Sequence, residues 1–130
     1  MPRRILLVDD DNAIRDSLYA LLESAGYEVL SASNGPDGLT IFRQSAHPVD
    51  LLVTDCNMPQ MSGLELAREC SYLFPNLRVL YVSGSIADEE LQADLQASRR
   101  AFLAKPFRKD ELLRKARALL QDEPDSIKVA

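Results

Sequence analysis

Cysteine is scarce in this sequence. Cys56 and Cys70 are the only two, too few and too loosely spaced for a disulfide framework. They read as core or near-core thiols in a chain kept in a reducing, cytoplasmic setting. Histidine is scarcer still: His47 stands alone, which excludes a His-rich metal site, and it reads as a surface-loop residue. There is no basic excess. Fifteen Lys and Arg face twenty Asp and Glu, a net charge of −5, which argues against the chain itself gripping a nucleic-acid backbone. Long apolar runs are missing as well. The run behind the basic "MPRR" stops at Val8, giving no signal peptide, and nothing approaches the ~20 residues that span a bilayer, so no membrane association is expected. What remains is an ordinary globular composition, 46% apolar over 130 residues, enough for one domain with a real core.

Two hydrophobic periods alternate along the chain. Short β-type runs fall at Ile5–Val8, Glu28–Ala32, Leu51–Thr54, Val79–Val82 and Ala101–Leu103. Helical spacing lies between them. Ile14, Leu18, Leu21, Leu22 and Ala25 mark a first helix that Gly26 stops; others are expected at Pro36–Gln44, Gly63–Leu73, Asp88–Ala97 and Lys109–Leu120. The fourth carries only Leu91 and Leu95 as large apolar residues, so it should be lightly anchored. Strands 1, 3 and 4 are near-continuous apolar runs, as parallel strands covered on both faces require. The expected fold is α/β, a doubly wound parallel sheet of five strands with five helices. A domain over residues 1–121 and a frayed tail over 122–130, "DEPDSIKVA", complete the expectation.

In such a sheet, ligands bind beyond the carboxyl ends of the strands. Strand 1 ends in Asp9, Asp10 and Asp11, strand 3 in Asp55, strand 4 in Ser83 and strand 5 in Lys105. If the order is 2-1-3-4-5, the first and third strands are neighbours and their carboxylates face each other. Two carboxylates about 4 Å apart repel by about 4 kcal/mol at an effective dielectric near 20. The cluster must protonate, shift its pKa values or take a cation, and a hard divalent ion such as Mg²⁺ suits oxygen ligands. Asp11, or Asn12 beside it, is suited to capping the first helix. A flavin carrier is excluded, because its phosphate-cradling loop cannot hold three aspartates.

The stretches "LLVDDD" (6–11), "LLVTDCNMPQMSGLEL" (51–66), "VLYVSGS" (79–85) and "FLAKPF" (102–107) together resemble the receiver domain of two-component response regulators, a CheY-like, flavodoxin-like fold. The resemblance covers about Arg4 to Leu120. It implies that Asp55 is the phosphoacceptor, fed by a phosphohistidine on a sensor histidine kinase or phosphotransfer protein. It implies that Asp9, Asp10, Asp55 and the backbone carbonyl of Asn57 hold Mg²⁺ or Mn²⁺, with Asp10 the more direct ligand. Ser83 takes the switch-hydroxyl position, Lys105 the lysine position facing the phosphoryl group, and Phe102 the rotamer-switch position. The Lys105–Pro106 bond is then expected to be cis. The output surface would be the fourth helix, fifth strand and fifth helix, meeting a downstream protein target, an attached effector or kinase domain, or a second copy in a homodimer.

Several residues depart from the common pattern of that family. Phe102 stands where many receivers have tyrosine, Ser83 where threonine is frequent, and Ser98 where glycine is common before strand 5. Arg99 and Arg100 read as a solvated basic spot. Asn57 and Ser85, flanking the acceptor and hydroxyl positions, are placed to tune dephosphorylation. The resemblance implies a phosphoacceptor that assists its own chemistry, not a turnover enzyme. Two alternatives stand beside it: an aspartyl-phosphate hydrolase of the haloacid dehalogenase kind, which places its nucleophile after strand 1 as D-x-D and needs a further acidic pair after the lysine, where only Asp110 and Glu111 follow here on the fifth helix with no cap insertion, and a docking module that takes no phosphate, against which the intact set Asp9, Asp10, Asp55, Ser83 and Lys105 argues.

Overall fold

A computed structural model of the chain describes residues 2–84, 89–97 and 99–121. Ser85, Ser98 and the expected tail over 122–130 lie outside the described residues. The elements follow in strict alternation: β1 (Arg4–Val8), α1 (Asn12–Ser24), β2 (Glu28–Ala32), α2 (Gly35–Gln44), β3 (Leu51–Asp55), α3 (Gly63–Leu73), β4 (Arg78–Ser83), α4 (Glu89–Asp94), β5 (Arg100–Ala104) and α5 (Lys109–Leu120). All strand pairs are parallel and the sheet order is β2-β1-β3-β4-β5. The α/β doubly wound fold expected from the sequence is therefore the fold observed.

Alternation along each strand splits the core in two. Ile5, Leu7, Val53, Leu80, Val82 and Leu103 point to the face covered by α1 and α5, where Leu18, Leu22, Leu112 and Ala116 meet them. Leu6, Val8, Leu52, Val79 and Tyr81 point to the opposite face, against Leu39, Leu64, Ala67, Cys70 and Leu91. Because β1, β3 and β4 are covered on both faces, none of their residues can be polar without a partner until the chain leaves the sheet. Burial pushes the Cys70 thiol up to about 12, as expected of a packing cysteine.

Local signals explain the helix boundaries. Asp11 is the N-cap of α1 and accepts a hydrogen bond from the Ile14 N–H at 3.0 Å. Gly26, with φ +97°, ends that helix in the left-handed region that favours glycine. Ser62 and Glu65 form a reciprocal capping box at the start of α3. His47 lies exposed in the loop before β3, as expected.

Helix α4 differs from expectation at its end. It stops at Asp94 rather than Ala97, and the chain tightens into i→i−3 bonds from Gln96 to Ala93 (3.2 Å) and from Ala97 to Asp94 (2.9 Å). The cause is a polar network beneath it. The buried Tyr81 hydroxyl donates to Asp94 Oδ2 at 2.6 Å, and Arg100 Nε donates to the same oxygen at 3.1 Å. Arg100 also donates to the Leu77 carbonyl (2.6 Å) and to Ser71 Oγ (2.9 Å). The expectation of a solvated basic spot is thus corrected for Arg100: its guanidinium donates to Asp94, Leu77, Ser71 and the Arg99 carbonyl, and its side chain is 9% exposed. Leu91 is buried and Leu95 partly buried, so the light apolar anchoring of α4 holds, but polar bonds supplement it. An exposed ion pair, Arg68 to Glu90 at 3.0 Å, also links α3 to α4.

The start of α3 presses on the end of β3. A Cβ placed on Gly63 would sit 2.1 Å from the Asp55 carbonyl oxygen and 3.1 Å from Cys56 Cα, both backbone atoms that cannot yield. Gly84, by contrast, has nothing within 4 Å of such a Cβ among the described residues. Gly63→Ala is expected to destabilise the fold by roughly 3 kcal/mol, seen as a lower urea midpoint at unchanged slope, whereas Gly84→Ala should stay within about 0.5 kcal/mol.

Candidate functional site

Parallel strands all end at the same edge, and the polar residues that close them meet there. The order places β3 between β1 and β4, so the ends of three adjacent strands converge, and the chain leaving β5 folds over them. Asp9 follows β1 and is almost fully buried, with Asp10 exposed beside it. Asp55 closes β3 and is buried, and Ser83 closes β4 with no exposed surface. One carboxylate oxygen from each of Asp9, Asp10 and Asp55 lies within 4.8 Å of the others. Asp11 points elsewhere, to the helix cap.

Lys105 reaches this cluster from the far side of the sheet. Its Nζ lies 3.2 Å from Asp9 Oδ2 and 3.5 Å from Asp55 Oδ2. Its backbone N–H donates to the Ser83 carbonyl at 2.8 Å, which holds it there, and the Lys105–Pro106 bond is cis, as expected. Asn57 joins the acceptor loop to β4. Its backbone N–H donates to Asp55 Oδ1 at 3.3 Å, and its side-chain amide donates to Ser83 Oγ at 3.4 Å. Phe102 does not enter the cup. It pairs in register with Tyr81 and packs on the face beneath α4.

Several contacts at this edge carry no motif. Asp9 Oδ1 accepts from the Asp11 N–H at 2.9 Å, which fixes its rotamer. Arg15 donates to the Asp9 backbone carbonyl at 2.8 Å and to Asn12 Oδ1 at 2.7 Å, clamping the acidic turn from outside. The buried Thr54 hydroxyl donates to the Asp55 carbonyl at 2.9 Å. Spacing from Arg15 to Asp9 follows no helical or strand repeat, and backbone acceptors leave no trace in a sequence.

The charges are unevenly balanced. Burial raises the Asp55 carboxyl above its ordinary value near 3.8, and the neighbouring Asp9 and Asp10 add to the rise; the Asn57 N–H and the Lys105 ammonium oppose it. Chemically, the donor set is all oxygen, three converging carboxylates with one exposed to solvent, which fits a hard divalent ion that keeps some of its waters. One ammonium does not neutralise three carboxylates, and this residual negative charge is a second reason the residues fit a cation.

Since folding raises the Asp55 pKa, the folded chain binds more protons than the unfolded one just above the ordinary value. Stability therefore falls as pH rises through that window and stays reduced above it. In chelator, Asp55→Asn should be more stable to urea than wild type at pH 7, and the gain should shrink as pH drops toward the ordinary carboxylate range.

Residues 5–117 match the family model described as the response regulator receiver domain. The response regulator receiver protein CpdR of Brucella abortus is 39% identical over 119 residues, covering 91% of this chain and 97% of that protein. Other curated relatives match at 35–40% identity, and the chain spans about half their length, 49–56%. Among solved structures, a CheY-like response regulator receiver domain protein from Methanospirillum hungatei superposes with a TM-score of 0.85 at 31% identity, covering 97% of this chain and 99% of that one. The response regulator TrrA from Thermotoga maritima, solved in complex with Mg²⁺-BeF, gives 0.75 at 34% identity, covering 91% and 99%.

Proposed function

The chain belongs to the response regulator receiver domain family of two-component signalling, and we propose that it takes up a phosphoryl group on Asp55. The observation that carries this reading is the meeting of three carboxylates and Lys105 at one sheet edge, with Asp55 in the middle strand. An Asp55 carboxylate oxygen attacks phosphorus, the bond from phosphorus to the donor's histidine nitrogen breaks, and an acyl phosphate forms. The donor is a sensor histidine kinase or a phosphotransfer protein. Such transfer asks for positioning and charge neutralisation more than for covalent chemistry from the protein. Lys105 stands between Asp9 and Asp55 and meets the incoming negative charge. Ser83 offers its hydroxyl to one phosphoryl oxygen. Bound by Asp9, Asp10, Asp55 and the Asn57 carbonyl, Mg²⁺ or Mn²⁺ would supply positive charge beside the reacting group. That TrrA was solved in complex with Mg²⁺-BeF supports the choice of Mg²⁺ as the cation.

The new phosphoryl group brings about −1.5 to −2 charges and three acceptor oxygens, by analogy with other phosphorylated side chains. Ser83 turns toward it, the 3.4 Å contact with Asn57 gives way, and Phe102 moves into the space released beneath α4. The surface of α4, β5 and α5 then presents a changed face to a downstream protein, an attached domain or a second copy.

Acetyl phosphate with and without Mg²⁺, followed by intact mass, tests the reading. Wild type should gain one phosphoryl unit only with the metal, Asp55→Asn should gain none, and Lys105→Ala should gain it roughly a hundredfold more slowly. Equal labelling of Asp55→Asn would overturn the assignment, and sustained turnover of a phosphate ester would mark a hydrolase instead.

A further inference from the structure

We propose that Tyr81, Asp94 and Arg100 form a latch that holds α4 in the unphosphorylated position and opens when the site is occupied, so that Tyr81 and Arg100 set how strongly the site and the α4 surface are coupled. The inference rests on the reading of Asp55 as phosphoacceptor.

Three observations lead to it. Over its described span, Glu89–Asp94, α4 has one buried apolar side chain, so packing there fixes it weakly. Its last residue, Asp94, is instead gripped by two donors on the sheet, the Tyr81 hydroxyl at 2.6 Å and Arg100 Nε at 3.1 Å. Both donors lie on the strands that leave for the site. Tyr81 is two residues before Ser83 on β4, and side chains two apart share a face of the sheet. Arg100 is two residues before Phe102 on β5, and Phe102 pairs in register with Tyr81. A pull on Ser83 toward the cup therefore acts on the same strand, one pleat away, from which α4 is held.

The partners differ in what they lose on opening. Arg100 keeps the Leu77 carbonyl and Ser71 Oγ, and the Asp94 side chain, 19% exposed, can turn to water. The Tyr81 hydroxyl is buried, so when the helix moves off it is left without its acceptor unless its own ring also turns. That asymmetry makes the latch a two-position device: closed with α4 on Tyr81, open with the helix displaced and the ring free to make room for Phe102. Arg100 is the fixed post, tied to Leu77 just ahead of β4 and to Ser71 on α3 in both positions.

Beryllofluoride with Mg²⁺ serves as a phosphoryl mimic that binds reversibly, which allows equilibrium linkage to be applied: a change that releases the latch must tighten its binding. Tyr81→Phe removes only the hydroxyl, and Asp94→Ala removes the acceptor without touching the apolar core. Both variants should bind beryllofluoride about fivefold more tightly than wild type by calorimetry. Hydrogen exchange of residues 89–97 in the free protein should quicken at least severalfold in both, and wild type should approach the same rate once the mimic is bound. A wild type that binds while both variants bind no more tightly overturns the latch alone, even if exchange quickens, because the bonds are then a plain fastening equal in both states. A wild type that binds no beryllofluoride, or binds it equally well as Asp55→Asn, overturns the Asp55 reading and the latch with it.

Discussion

Placing Asp9, Asp10 and Asp55 within a few ångströms of one another, with a single lysine between two of them, is the constraint around which this fold is arranged. A pair of carboxylates at that distance repels by about 4 kcal/mol where the effective dielectric is near 20, and burial adds to the cost. The sheet can hold them because its strands are nearly free of other polar demands: β3 and β4 are buried along their whole length on two apolar cores. Strand order does the rest, since only adjacency of β1, β3 and β4 brings those ends together. The raised Asp55 pKa is the thermodynamic trace of this arrangement. The protein tolerates lower stability at one residue so that an anionic oxygen stays available there.

The same geometry joins the cup to a distant surface through short steps. Lys105 and Ser83 are linked by a backbone hydrogen bond, Ser83 and Asp55 through Asn57, and Ser83 and α4 through Tyr81 on the same strand. Besides Tyr81 and Arg100, the buried Leu91, the partly buried Leu95 and the exposed Arg68–Glu90 ion pair help to fasten α4 among the described residues. When such an element shifts it draws Leu91 from one core and leaves the core under α1 and α5 intact.

What was readable in the sequence follows from which interactions leave a pattern. Near-continuous apolar runs located β1, β3 and β4 to within a residue at either end, because burial on both faces imposes such runs, and the less buried β2 and β5 were found within the same margin. Asp11 as a cap was legible because N-caps draw on few residue types. The three carboxylates and Lys105 were legible as strand ends, and their meeting point followed once the strand order was assumed. The end of α4 was not, because it is set by Tyr81 and Arg100, 13 and 6 residues away from Asp94 with no repeat relating them. Arg100 was misread for the same reason: two of its acceptors are a backbone carbonyl and a serine reached only through folding. Arg15 on the Asp9 carbonyl is a third case.

Cys70 has a use beyond packing. It lies wholly inside the core on α3, and its thiol is pushed up to about 12, so at neutral pH it is neither ionised nor reachable. Alkylation of Cys70 must wait for the α3 side of the sheet to open. Its labelling rate is a clock for that opening, readable in the intact chain without denaturant, and Cys56, only half covered beside the acidic edge, supplies a second clock running on local motion alone.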